Sequence, residues 1–306
     1  MPERKFKFVK TLAIAGGVIV FSLLAYALIE SSRPVPRTPL PNPNGYDEFV
    51  KAARMLTRTN EQPLSSLTRE QLSGYIAANA EALKLARIAL TRKSRVPIEY
   101  TPDYMTSHIS DLASLKVLAL ALTAEAKLAL MEKRTNDAST IYLDAVRFGH
   151  EAFRGGVIID SLVGMACEAI GLVPLQGIGS ALDGRQCVEL VRQLEGIDAS
   201  AESFDQIMAQ EKSWARRQFG IKEKINALLM SRSTSAANQK AEQKWKSVQL
   251  QRRTFILALA VRAYELETGR RPQRLEDLVP AYLRRIPLDP FTGTNMDYLP
   301  MPTNHP

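Results

Sequence analysis

The chain has 306 residues, 45% of them hydrophobic, enough for a sizeable core in one or two domains. Lys and Arg number 40 against 32 Asp and Glu, a net charge of +8. Two cysteines, Cys167 and Cys187, exclude a cysteine metal cluster and leave either one disulfide or two buried thiols.

Residues 1–10 are a basic flank with Arg4, Lys5, Lys7 and Lys10. The run 11–29 that follows carries no charge and is largely apolar. As a helix it spans roughly 28 Å, close to the hydrocarbon thickness of a bilayer. Only Arg33 and Arg37 lie close on its far side. The basic excess therefore predicts a single-pass transmembrane helix, with the N-terminus in the cytoplasm and the bulk of the chain outside. A cleaved signal peptide is the alternative, since Ala25-Tyr26-Ala27 has the small-x-small form of a cleavage site. Residues 30–45 form a proline-rich linker, which predicts an extended, semi-rigid spacer holding the domain off the membrane.

Helical spacing begins at Tyr46. A first helix is expected over 46–58. Thr68 with Gln71 predicts a capping box opening a helix to about Lys93, with Leu72, Ile76, Leu83 and Leu90 on one face. Further helices are expected over 106–132 and from about Asn136 to Phe153. The apolar stretch 157–182 is expected to be a buried domain helix and not a second span. Asp160 and Glu168 would each cost about 2.5–3.5 kcal/mol near a bilayer centre, and Pro174 is expected to break the run. Arg154, Arg185 and Arg262 are the candidate partners for these acids. Helices over 185–195 and 201–230 follow. Ser231 to Ser235 reads as a polar break before a last long helix, 237–268, ended by Gly269. Trp245, Val248, Phe255, Leu259, Arg262 and Leu266 form its expected face. The fold class is thus all-α. It comprises the N-terminal transmembrane helix, the linker, a multi-helix extracytoplasmic domain (46–268) built as a bundle or an irregular array of helical hairpins, and a short irregular C-terminal module (269–306).

Ala138, Tyr142 and Ala145 match the A-x-x-x-[FY]-x-x-A spacing of a tetratricopeptide repeat's second helix. The usual Trp and Leu-Gly positions are missing, so a helical hairpin is expected in place of an array. The C-terminal string carries Tyr264, Gly269, Pro272, Leu275, Leu278, Val279, Pro280, Tyr282, Leu283, Pro287, Asp289, Pro290, Phe291 and Tyr298. It resembles the region after the long helix in type II secretion pseudopilins. The resemblance implies that Gly269 ends a long helix, a short helix folds back on it, Asp289-Pro290 opens a turn pinned by Phe291, and Tyr298 lies on a short strand. The prepilin signature is lacking: Lys10-Thr11-Leu12 follows Val9 without the glycine and glutamate that processing requires. The overall layout also resembles membrane-anchored helical proteins of planctomycete-like bacteria, a likeness that supplies no activity.

The segment from Lys212 to Arg253 concentrates basic residues, with Trp214, Phe219 and Trp245 interleaved. Lys212, Arg216, Arg217, Lys222, Lys244 and Lys246 are the candidate contacts for a protein partner or for lipid. An extracytoplasmic address disfavours nucleic acid. His108, His150 and His305 stand in no metal motif, and no nucleophile elbow, Walker loop or dinucleotide fingerprint occurs. Asp160 and Glu168, eight residues apart, would project within about 80° of each other on one helix; pairing with arginine is favoured over acid–base catalysis. The sequence thus identifies no catalytic set, metal, cofactor or small-molecule substrate. It leads to a noncatalytic interaction or scaffold module of the cell envelope with an envelope-protein partner. The alternatives are an accessory of a secretion or pilus-like system and an extracytoplasmic hydrolase.

Overall fold

The computed structural model describes residues 38–57, 63–101, 103–218 and 231–297, together with Val18, Phe21, Ser22, Ala25 and Tyr26. Those five are helical. The rest of 11–29, the linker before Thr38, Phe219, Lys222, Tyr298 and His305 lie outside the described residues.

Among the described residues the chain is all-helical. The helices are α1 (Gly45–Met55), α2 (Arg69–Ala78), α3 (Ala80–Leu90), α4 (Tyr104–Met131), α5 (Thr135–Glu151), α6 (Ile158–Ile178), α7 (Gly184–Ser200), α8 (Phe204–Gln218) and α9 (Ser231–Thr268). The expected Thr68–Gln71 capping box forms, with Gln71 N donating to Thr68 Oγ1 and Thr68 N to Gln71 Oε1. The helix expected to run through to Lys93 is instead split at Asn79. The Asn79 side chain is buried, accepts from Thr57 N at 2.7 Å and donates to Tyr75 O at 2.9 Å. A polar side chain that satisfies nearby backbone groups competes with helix continuation.

Two cores run through the bundle. One gathers Phe49, Leu83, Leu115, Leu118, Leu122 and Phe148 from α1, α3, α4 and α5. Phe49 and Phe148 meet edge to face, ring centroids 5.0 Å apart. The second gathers Leu172, Leu175, Leu194, Phe255 and Ile256 from α6, α7 and α9, with Leu278 and Leu283 of the C-terminal module. Helices α4, α5 and α6 contribute to both. α4 and α5 form the expected hairpin, with Ala138, Tyr142 and Ala145 buried.

The α5–α6 crossing is close because small residues meet there. A Cβ on Gly149 would stand 2.3 Å from Glu168 N, and one on Gly171 would stand 2.8 Å from Tyr142 O. Ile158–Ala181 is the only candidate membrane span among the described residues by length and composition. Its two acids, Asp160 and Glu168, are buried within the bundle. Pro174 does not break this helix but stands inside it. It removes one donor near the C-terminal end, where the tertiary packing of Leu172 and Leu175 holds the helix.

Three further boundaries differ from expectation. α7 extends to Ser200, and α8 is described from Phe204 to Gln218, with 219–230 outside. The Ser231–Ser235 stretch is helical, forming the first turns of α9; weak helix formers are tolerated there because propensity differences are only tenths of a kcal/mol per residue. Leu266, expected on the core face, is 51% exposed. Gly269 ends α9 in the left-handed region at φ +69°. Beyond it Leu275–Leu278 makes a short 3-10 helix packed on the second core. The Asp289 turn is pinned by its own carboxylate, which accepts from Phe291 N at 2.6 Å. The Phe291 ring, the expected pin, is 48% exposed. Tyr298, expected on a short strand, lies outside the described residues; before it a single antiparallel bridge joins Leu288 and Asn295. Both cysteines are free and buried, and burial pushes the Cys167 thiol up to about 12.

Candidate functional site

Two buried polar clusters sit where α6 meets its neighbours. The first joins α1, α4 and α6. The buried face of α4 repeats at His108, Leu112, Leu115, Ala119 and Leu122, so His108 occupies a core position on an apolar stripe. Its Nε2–H donates to Asp160 Oδ1 at 2.7 Å, and the Tyr46 hydroxyl lies 3.5 Å from Nδ1. Asp160 Oδ2 in turn accepts from Val157 N at 2.8 Å, capping the first turn of α6. His108 is 4% exposed and Asp160 0%. Tyr104 stacks on the imidazole at 4.8 Å between centroids, and Trp214 of α8 leans on Tyr104. Burial, with the Asp160 charge adding to it, pushes the phenols of Tyr46 and Tyr104 well above their ordinary value.

A carboxylate–imidazole–hydroxyl chain of this form fixes the histidine tautomer and can relay a proton. Here it is closed under aromatic rings. It ties three helices together and satisfies the polar groups of a core position.

The second cluster joins α6, α7 and α9. Arg252 donates to Glu168 Oε1 at 2.5 Å and to Asp198 Oδ1 at 2.9 Å. Arg253 donates to Asp198 Oδ2 at 2.9 Å and to Leu288 O at 2.6 Å, which ties in the C-terminal module. Burial opposes the charge of Arg252, but Glu168 and Asp198 more than offset it and hold its pKa above the ordinary value. His150 of α5 stands beside this network, its Nε2 3.1 Å from Ser200 Oγ. Burial, then the Arg252 and Arg154 charges, lower its pKa to about 3. It lines a cavity of about 70 Å³ with Glu168, Trp245 and Arg252.

None of the arginines expected to partner Asp160 and Glu168 does so. Arg154 pairs with Glu151 at 3.3 Å, Arg262 donates to Leu182 O at 3.0 Å, and Arg185 lines a surface groove. Asp160 meets a histidine and Glu168 meets Arg252. The spacing Trp245, Val248, Arg252, Phe255, Leu259 places Arg252 on the core stripe of α9, and that was the signal for it. Arg252 therefore belongs to the interior and the half-buried Arg253 to its edge, and neither to a solvated basic face.

The proposed contact residues separate into two groups. Lys212 is exposed on α8, and the Arg217 guanidinium lies 4.9 Å from the centroid of Tyr100. Lys244 is exposed on α9, and Lys246 pairs with Glu242 at 2.8 Å. Phe204 packs on Trp245, so the α9 pair sits beside the start of α8. Lys212 and Arg217 come two to four turns later along that helix, about 12 to 20 Å away. The side chain of Arg216 and the whole of Lys222 lie outside the described residues.

Among the described residues no three His, Cys, Asp or Glu side chains gather as metal ligands would. No protein-family profile, curated protein or solved structure matches the chain.

Proposed function

We propose that the protein is a noncatalytic helical interaction module held at the outer face of the cytoplasmic membrane by residues 11–29. The observation that supports this reading most is the inward pairing of its chemically capable groups. His108 with Asp160, and Glu168 with Arg252, hold helices together from within the core. What meets another molecule is then the surface, including the groove between α7 and α9 lined by Arg185, Val188, Arg192 and the exposed Leu266. Such a surface suits an envelope protein or peptide. Photo-crosslinking from Lys244 in intact cells is expected to capture one specific protein. Recovery of no protein above background would oppose the reading.

A second reading, an accessory of a secretion or pilus-like machine, draws on the C-terminal module. Its left-handed Gly269 and the folded-back Leu275–Leu278 turn match what the pseudopilin resemblance implies for those residues. It predicts co-purification with such a machine through 269–299. Association unchanged by deletion of that tail would remove it.

A further inference from the structure

The face of α9 that carries Arg252 also carries an aromatic ring and an amide. Trp245, Gln249 and Arg252 stand at i, i+4 and i+7, on one side of the helix. All three line the cavity of about 70 Å³ where α9 meets α5, α6 and the start of α8. Gln249 is 7% exposed, yet its amide meets no hydrogen-bonding group among the described residues. Ser161 of α6 lines the same cavity, and its hydroxyl is likewise unpaired among them. A buried amide without partners keeps its desolvation cost, and a ligand that pairs with it removes that cost.

The charged groups at the cavity are already engaged. Arg252 is held by Glu168 and Asp198, Arg154 pairs with Glu151, and Glu202 accepts from Gly155 N at 2.9 Å. Burial, with the Arg252 and Arg154 charges, keeps His150 uncharged near neutral pH. A cation would enter beside the guanidinium groups of Arg154 and Arg252, and an anion beside the carboxylates of Glu168 and Glu202. The lining therefore favours an uncharged ligand. Phe153, Met165 and Trp245 supply apolar wall. At about 10–15 Å³ for each water-sized group, the space accepts a ligand of about five heavy atoms.

We propose that this cavity binds a small carboxamide, the group that ends a glutamine side chain. The Gln249 amide offers an N–H and a C=O side by side, and a second carboxamide pairs with both at once. The ligand's methylene end lies against Trp245. The site is formed by the described residues alone and does not depend on how 11–29 meets a membrane.

The test uses the full chain labelled with 5-fluorotryptophan. Its two tryptophans, Trp214 and Trp245, give two fluorine signals, which Trp214→Phe assigns. Propionamide is titrated beside propionate and butylammonium, charged probes of the same size. Propionamide is expected to shift the Trp245 signal saturably in the millimolar range and to leave the Trp214 signal unmoved. The charged probes should bind at least about five-fold more weakly, and Gln249→Leu should weaken propionamide binding by about five-fold or more. An unmoved Trp214 signal in Gln249→Leu reports that the variant keeps its fold. Competition by a blocked glutamine-containing tripeptide would assign the carboxamide to a polypeptide side chain, and its absence to a free small amide. No saturable shift leaves the cavity to water and overturns the proposal. Equal binding of all three probes, or an affinity unchanged in Gln249→Leu, overturns it as well.

Discussion

At the scale of single residues, the interior is decided by two polar clusters placed on apolar stripes. Arg252 is 2% exposed between Glu168 and Asp198. Removing it leaves a buried carboxylate with no counter-charge. Arg252→Ala should lower the unfolding free energy by about 3–5 kcal/mol in urea denaturation. Replacing both partners, as in Arg252→Met with Glu168→Leu, should cost much less, because the uncompensated charge goes too. His150 gives a pH signature. Its folded pKa, about 3, lies below the ordinary 6.5. Between those values the unfolded chain binds a proton that the folded chain does not, so stability falls as pH drops below 6.5. The slope is up to about 1.4 kcal/mol per pH unit. His150→Gln should remove that part of the slope, measured by denaturation between pH 7 and pH 4. The positions of His108 and Arg252 were readable from spacing, since both fall on the periodic core face. Their partners were not, because Asp160 and Glu168 lie on a separate helix and a single sequence carries no pairing information.

Among the helices, spacing located the elements well and their ends less well. Thr68 and Gln71 announce a capping box that forms. Asn79 looks like an ordinary helix-surface residue, yet its side chain is consumed by Thr57 and Tyr75. The serines of 231–235 read as a break because propensity is a weak local term, and the helix runs through them. The closeness of α5 to α6 is a property of the pair and follows from neither helix alone. Gly149→Ala would place a methyl against the α6 backbone and should cost about 1–3 kcal/mol or more. Gly74 of α2 is the control: a Cβ there meets nothing within 4 Å, and Gly74→Ala should add about 0.5–1 kcal/mol of stability. Thermal unfolding of the two variants beside the parent separates them by sign.

At the scale of the whole molecule, composition and spacing were sufficient for an all-α architecture, while the long-range pairings that close it were not legible. The linker shows the difference. Its prolines predict an extended path; residues 38–44 are irregular with a bend at Asn42-Pro43, and nothing in their spacing announces that Asn44 and Leu40 are drawn onto the 95–100 segment. That docking fixes where the linker meets the domain. The claim on which the functional reading depends is that 11–29 anchors the chain with its domain outside the cytoplasm. Protease treatment of intact cells with a permeable outer envelope, followed by detection of the C-terminal module, tests it most directly. The membrane fraction should hold the full-length chain, and external protease should digest the domain without lysis. A domain protected until the cytoplasmic membrane is broken would contradict the assignment.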